Sequence, residues 1–552
     1  MSRRWAQAPY SREQMTLLSP SIDEMIGANH EIRVFEFLLE RLDWSEWESA
    51  YDENGQPPIH PRLIAGCILW GLMLRLRSSR QLEDATRNRL DFMWFLNGRT
   101  IDHATFSNFR NNFKDELKNL SKSLTLKARR MMGGSGDAVA VDGTFIKANS
   151  DRMGSKNAVE LEKSLRKLGE EASELLQEMA NADEQESQLK DMQARLKKLE
   201  KDKLKLEKAL EAANARDDKK RKRGASTPQT AVPVTDSDAT LRENKEGGFA
   251  PNHHPIAAAE LDTGLVVHAE VLKDKTEAES LLDAAVKSQE SLGKRPGAIT
   301  ADKGFASAAG FERLKAEGIK ACIPVQGLEK IDAGNRLDPS RPLTEVELSK
   351  LPLRGGVFAN AAFVYDPLQD CFYCPAGKRL TLLRILDHLT HNRRVPSREY
   401  GTKECATCPL RNRCTQSNRK SRSITRTEHT HLREESARYV KTDEGKSLYR
   451  RRAPVIEGVF AVIKNVMGIR QFLTRGHEKV EHEWQWICTA YNLKKLMKHL
   501  AQNGASLFLA PTALSECNSR AFFTIKKDSS TLFSKSKTLL RFPVRPAKAF
   551  YV

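Results

Sequence analysis

Apolar residues recur at three- and four-residue spacing through the first 130 positions. In "HPRLIAGCILWGLMLRL" Leu63, Cys67, Trp70 and Leu74 fall on one face, which predicts a core helix. "RSSRQLEDATRNRL" begins a second helix at a serine pair, and "TIDHATFSNFRNNFK" begins a third, with Asp102 placed to cap its first turn. The pattern then changes period. "GDAVAVDGTFIKANS", residues 136–150, alternates as a half-buried strand does, yet carries a carboxylate, Asp142, where the apolar run peaks. A charged segment follows with a four-three stripe, Leu161, Leu165, Leu168, Ala172, Leu175 and Met179. The stripe restarts out of phase at Leu189, Met192, Leu196, Leu199, Leu206 and Leu210. The polar "ANADEQESQ" between the runs predicts an antiparallel helical hairpin, not one rod. It ends in "DDKKRKRGASTPQT", expected to be flexible.

Regular alternation resumes in "PIAAAELDTGLVVHAEVL", two apolar runs around Asp262-Thr263-Gly264, which reads as a β-hairpin. "TEAESLLDAAVKSQES" predicts a helix, "PGAITADKGFAS" a short strand ending at Asp302, "AAGFERLKAEG" a helix closed by glycine, and "KACIPV" a buried strand. The segments expected are an N-terminal helical domain (1–130), the first strand of the core (131–157), and a hairpin-and-linker insertion (158–232). The core continues at 233–326, an irregular Cys-bearing insertion follows (327–444), and final core helices (445–503) precede a basic tail (504–552). The fold class is α/β: a mixed sheet flanked by helices, interrupted twice, behind an all-α N-terminal domain.

Charge narrows the choice of partner. Ninety Lys and Arg face seventy-two Asp and Glu, a net +18, which favours a polyanion because each neutralised phosphate releases counterions. Double-stranded DNA is the partner expected. The third helix offers Thr105, Asn108, Arg110, Asn111 and Lys114, donors suited to phosphates and base edges in a helix-turn-helix. No run of eighteen apolar residues and no signal-peptide core is found, so a soluble cytoplasmic protein with no membrane partner is expected.

Two predicted strands end in an aspartate followed closely by glycine, Asp142-Gly143 and Asp302-Lys303-Gly304. An ordinary turn explains either alone. Together, carboxylates at neighbouring strand ends suit Mg²⁺ or Mn²⁺ and phosphoryl transfer. A third carboxylate is Glu457, on a helix with an apolar stripe of Val455, Val459, Val462 and Val466 and a second face of Glu457, Phe460 and Lys464. It stands in a basic region: residues 411–475 hold sixteen Lys and Arg against six Asp and Glu. A salt-bridged surface glutamate is the alternative reading.

"VDGTFIKANS", "ITADKGF" and "YRRRAPVIEGVFAVIKNVMGIRQFLTRG" with "EHEWQWICTAYNLKKL" resemble the three catalytic blocks of DDE-type bacterial insertion-sequence transposases. "HPRLIAGCILWGLMLRLRSSRQLEDATRNRLDFMWFLNG" is similar to their N-terminal domain, and "CFYCPAGKRL" to a segment some members carry. The resemblance implies an RNase H-like core and a metal-binding triad of Asp142, Asp302 and Glu457. A Tyr-Arg-Glu-Lys signature maps onto Tyr449, Arg452, Glu457 and Lys464, with one residue more than usual between Arg452 and Glu457. Lys464 and Arg475 would hold DNA near the scissile phosphate. The activity implied is binding of terminal inverted repeats followed by metal-dependent cleavage and strand transfer, by a homodimer joined through the hairpin. A transposase-derived binding protein that no longer cuts, and a DNA nuclease or resolvase, are the alternatives.

Five of the nine cysteines crowd one region, Cys371-x2-Cys374 and Cys405-x2-Cys408, with Cys414 competing for the fourth place of a tetrahedral structural Zn²⁺. Buried reduced thiols are the alternative. Cys67, Cys322 and Cys488 read as core, and the pair His253-His254 as a loop feature.

Overall fold

The computed structural model describes residues 20–503 apart from 52–56, 182–185, 223, 244–247, 274–275, 391–392 and 416–420. The expected tail, 504–552, lies outside the described residues. Contacts group Met1–His499 into one unit, which holds the elements described below apart from the last three residues of the final helix. No described helix is long and apolar enough to cross a membrane.

The N-terminal region is helical. Helix α1, Pro61–Met73, starts at a proline in its first turn and is buried almost all round, not on the single face its periodicity suggests. Neighbours enclose it from several sides: Phe35 meets Trp70, and Trp70 Nε1 donates to the buried Asp91 at 2.8 Å. Helix α2, Ser79–Asn88, opens with a capping box between Ser78 and Gln81. Helix α3, His103–Asn112, is capped by Asp102, whose carboxylate accepts from the Thr105 amide at 2.7 Å. The third helix stops earlier than expected, at Phe113, so Lys114 opens a separate helix, α4, Lys114–Met131. Phe113 turns inward and stacks on Trp47, which breaks the helix to complete an aromatic core.

The chain then enters strand β1, Ala138–Gly143. The predicted hairpin insertion follows as α5, Ala158–Asn181, and α6, Glu186–Lys222. Leu161, near the start of α5, packs with Leu206, Ala209 and Ala213, late in α6, which makes the pair antiparallel. The basic run of the expected linker is helical as far as Lys222. Its base is tied down: Asp217 accepts from the Thr230 amide at 3.0 Å, and Arg216 donates to the Ser237 carbonyl at 2.8 Å.

The two apolar runs form strands β2, Phe249–Glu260, and β3, Val266–Leu272, turning at Gly264 with φ +64. Helix α7, Glu277–Leu292, leads to strand β4, Ala298–Thr300, and then to strand β5, Lys320–Cys322. The main sheet runs β3-β2-β1-β4-β5: β2 is antiparallel to both β1 and β3, while β4 and β5 run parallel to β1 and to each other. Short strands Ile146–Lys147 and Thr240–Glu243 extend it beside β2. His253 and His254 lie within β2, not in a loop, and His253 is buried against Asp236 at 2.8 Å. Val139, Val141, Ile299, Leu281 and Phe305 fill the core between the sheet and α7.

Residues 327–444 are not irregular. They hold a five-stranded antiparallel sheet, Val364–Asp366, Cys371–Tyr373, Arg379–Thr390, Arg393–Gly401 and Ile424–Thr427, in sequential order. It has its own core of Phe358, Phe363, Phe372, Leu380, Tyr400 and Ile424. Proline and charge break up the strands' alternation, which hides them in one dimension. The chain returns through helix α8, Asp443–Ala461, whose last turn passes into a π-turn at Val462–Val466, and ends the described core with helix α9, His477–Gln502.

Candidate active site

Sheet register brings the two aspartates together. β1 and β4 are parallel, with Ala140 opposite Thr300 as the last pair, and Asp142 and Asp302 each follow two residues later at the C-terminal edge, near enough for the Asp302 charge to act on Asp142. Asp142 is the penultimate residue of its strand. Asp302, just past its strand, caps a short 3-10 turn and accepts from the Gly304 amide at 2.7 Å. Burial, the larger cause, and the Asp302 charge push the Asp142 carboxyl above its ordinary range. The Gly143 N–H and the Arg452 guanidinium oppose that rise.

A third carboxylate adjoins both. Glu277 is the first residue of α7, whose N-terminus Thr276 and Glu279 cap as a box. A Cβ on Gly143 would lie 2.5 Å from His254 Nε2 and 3.0 Å from Glu277 Oε1, and one on Gly304 would lie 3.0 Å from Asp302 Oδ1 and 3.1 Å from Glu277 Oε2. The Glu277 carboxylate thus lies between the two glycines that follow the aspartates, 3.0 Å from His254 Nε2. Sequence reasoning missed this residue because a glutamate in a first helical turn reads as a complement to the helix dipole.

Helix α8 crosses the sheet beside this edge. Arg452 is buried, donating from Nη1 to Asp142 Oδ2 at 3.1 Å, with the Tyr449 ring 5.7 Å from its guanidinium carbon. Twelve residues on, inside the π-turn, Lys464 Nζ donates to Thr144 Oγ1 at 2.5 Å and to the Phe145 carbonyl at 3.0 Å. Arg452 and Lys464 therefore bracket the end of β1. Glu457 sits between them in sequence but faces solvent, without a hydrogen bond or ion pair among the described residues. The buried stripe of α8 is Arg452, Ile456, Val459 and Phe460, not the valine series, and Val466 is left exposed at the end of the π-turn. Phe460 turns from the expected Glu457 face to stack on Trp484.

The other expected DNA contacts are distributed elsewhere. Arg475 is exposed and donates to the Asn149 carbonyl at 2.6 Å. Arg110 turns inward to the Arg77 carbonyl at 2.9 Å, and burial pushes its guanidinium down to about 10. Lys114 pairs with Glu478 on α9. Arg75 and Arg77 grip the π-turn region from the N-terminal domain: Arg75 reaches the Val466 and Asn465 carbonyls at 2.8 and 2.7 Å, and Arg77 pairs with Glu483 at 3.0 Å.

The donor chemistry fits a hard divalent cation, since Asp142, Asp302 and Glu277 supply only carboxylate oxygens, and burial first, then the Asp302 charge, raises Asp142. Among the described residues no three His, Cys, Asp or Glu side chains are already gathered as a bound metal would hold them.

A family model described as a Transposase DDE domain matches residues 373–497, and one described as a transposase domain, DUF772, matches residues 20–112. The first includes Tyr449, Arg452, Glu457, Lys464 and Arg475; Asp142 and Asp302 fall between the two matches. No curated protein and no solved structure matches the chain. The two matches, in this order along one chain, support a DDE-type insertion-sequence transposase as its family.

Proposed function

We propose that the protein is a DNA transposase that binds the terminal inverted repeats of its own element, cuts there, and joins the ends to target DNA. The single observation that carries this reading is that Asp142 and Asp302 each lie two residues past the Ala140–Thr300 pair of adjacent parallel strands, with Arg452 and Lys464 on either side of the end of β1. The strand order β3-β2-β1-β4-β5, with only β2 antiparallel to its neighbours, supports an RNase H-like core.

Asp142 and Asp302 would hold Mg²⁺ or Mn²⁺, with Glu277 beside them and Glu457 swinging in from α8. The ions, when bound, would supply Lewis-acid activation of water or a DNA 3′-hydroxyl and stabilise charge at the phosphate. Arg452 orients Asp142 before DNA arrives and opposes the effect of burial on its carboxyl. Lys464 leaves Thr144 and Phe145 for a phosphate oxygen, a better partner for an ammonium than neutral acceptors are. Exposed Arg475 extends the cationic track. Lys114, paired with Glu478, holds the N-terminal domain on the core, and Arg110 supports the backbone of Arg77, which pairs with Glu483 there. A cytoplasmic homodimer on nucleoid DNA, joined through α5 and α6, completes the reading.

The test uses DNA from the flanks of the protein's own coding region. Asp142→Asn and Asp302→Asn should each lower Mg²⁺-dependent end cleavage by at least about 100-fold while DNA affinity stays within about twofold. Cleavage at the wild-type rate by either variant overturns the site. Precut ends should be joined to target DNA, and hydrolysis without joining would make the protein a nuclease instead.

A further inference from the structure

We propose that Cys374, Cys405, Cys408 and Cys414 form a structural zinc site in the small β-domain, and that Cys371 is not one of its ligands. Cys374, Cys405, Cys408 and Cys414 line one small cavity, together with Phe363, Leu380, Arg411 and Arg422. The thiols lie within electrostatic reach of one another: Cys414 senses Cys374, Cys405 and Cys408, and Cys374 senses Cys405 and Cys408. Cys371 does not line that cavity. It is fully buried in its strand, where side chains alternate, so Cys371 and Tyr373 point away from the face that Phe372 and Cys374 present to the domain core.

The backbone at Cys374 is arranged around its sulfur. "CPAGK" closes a tight turn, with the Cys374 amide on the Lys378 carbonyl at 2.9 Å and the Gly377 amide on the Cys374 carbonyl at 2.9 Å. That turn aims the Lys378 N–H at Cys374 Sγ, 3.3 Å away, which fixes the position of the sulfur. Gly377 permits it, with φ +73 and a position where a Cβ would stand 2.1 Å from the Ser340 carbonyl oxygen. On the other side, a 3-10 turn at Lys403–Thr407 and the helix Arg411–Cys414 present the remaining three thiols. Arg411 and Arg422 at the wall would offset the net negative charge of four thiolates around Zn²⁺. The thiols are not gathered as tightly as a bound ion would hold them, so zinc would close the cavity by side-chain rotation. The ion would clip the 402–415 segment to the turn after Cys371–Tyr373. Lys378 of that turn already pairs with Glu404 at 2.7 Å, and the ion would add to that junction.

Elemental analysis of the full chain, purified without chelator and dialysed, should find about one zinc per chain. Cys371→Ser should retain it, and Cys405→Ser and Cys414→Ser should lose it. Because loss of a ligand can also unfold the segment locally, the wild-type chain loaded with Co²⁺ supplies an independent readout: thiolate-to-cobalt charge-transfer absorption of a tetrahedral four-thiolate site, unchanged in Cys371→Ser. No zinc in the wild-type chain, no such absorption on adding Co²⁺, or loss of the metal in Cys371→Ser overturns the proposal. Both readouts are independent of DNA cleavage.

Discussion

Gly143 shows how tightly the proposed catalytic edge is built. The space beside it is taken by His254 Nε2 and Glu277 Oε1, 2.5 and 3.0 Å from where a Cβ would stand. Gly143→Ala should therefore destabilise the fold by about 1–3 kcal/mol, because the contacts are with ring and carboxylate atoms backed by strand and helix. Thermal denaturation measures it, and His254→Ala in the same chain should recover part of the loss. An unchanged melting temperature in Gly143→Ala would mean that the edge yields to a methyl group without strain. Asp142 itself was legible in the sequence, since a carboxylate at the peak of an apolar run violates the strand pattern. Glu277 and His254 were not legible, because neither breaks any local pattern.

At the level of elements, the hairpin α5–α6 was the most readable feature, its two leucine stripes being periodic and out of phase. Its attachment was not readable. Ser155–Lys156 pairs with Val232–Pro233, so the insertion leaves and rejoins the core through one pair of adjacent short strands. Replacing residues 157–231 by a short Gly-Ser linker should thus keep the core folded, at a cost under about 2 kcal/mol, because the loop to be closed is short. Circular dichroism and a denaturant titration check it. Light scattering on the same variant tests the proposed dimer, which should fall to a monomer. The Cys-bearing insertion shows the opposite case: its sheet is held by pairing between strands that carry little alternation, so the elements exist only once paired.

For the molecule as a whole, the N-terminal domain and core meet around His482, which is buried on α9 and accepts from Trp486 Nε1 through Nε2 at 3.1 Å. Trp486 in turn packs against Trp47 and Phe109 of the helical domain. Burial first, then the cations Lys114, Lys118 and Arg110, push the imidazole down to about 4. A neutral buried histidine favours the folded state above the unfolded pKa of about 6.5, and that contribution is lost as pH falls from about 6.5 towards 4. The loss is on the order of 3 kcal/mol. Unfolding midpoints measured between pH 7 and 4.5 should drop more steeply in the wild type than in His482→Gln; parallel profiles would show that His482 does not set the acid sensitivity. The sequence by itself determined the strands and helices with strong periodicity, the positions of Asp142 and Asp302, and the net positive charge of the chain. These follow from local patterning and summed charge, which depend on neighbours in the chain. Only the tertiary structure decided that the two aspartates align across β1 and β4, that Arg452 pairs with Asp142, that Glu277 joins them, and that Cys414 rather than Cys371 faces the other thiols. Those facts depend on register, crossing angle and which strand face is buried, and contacts far apart in sequence set all three.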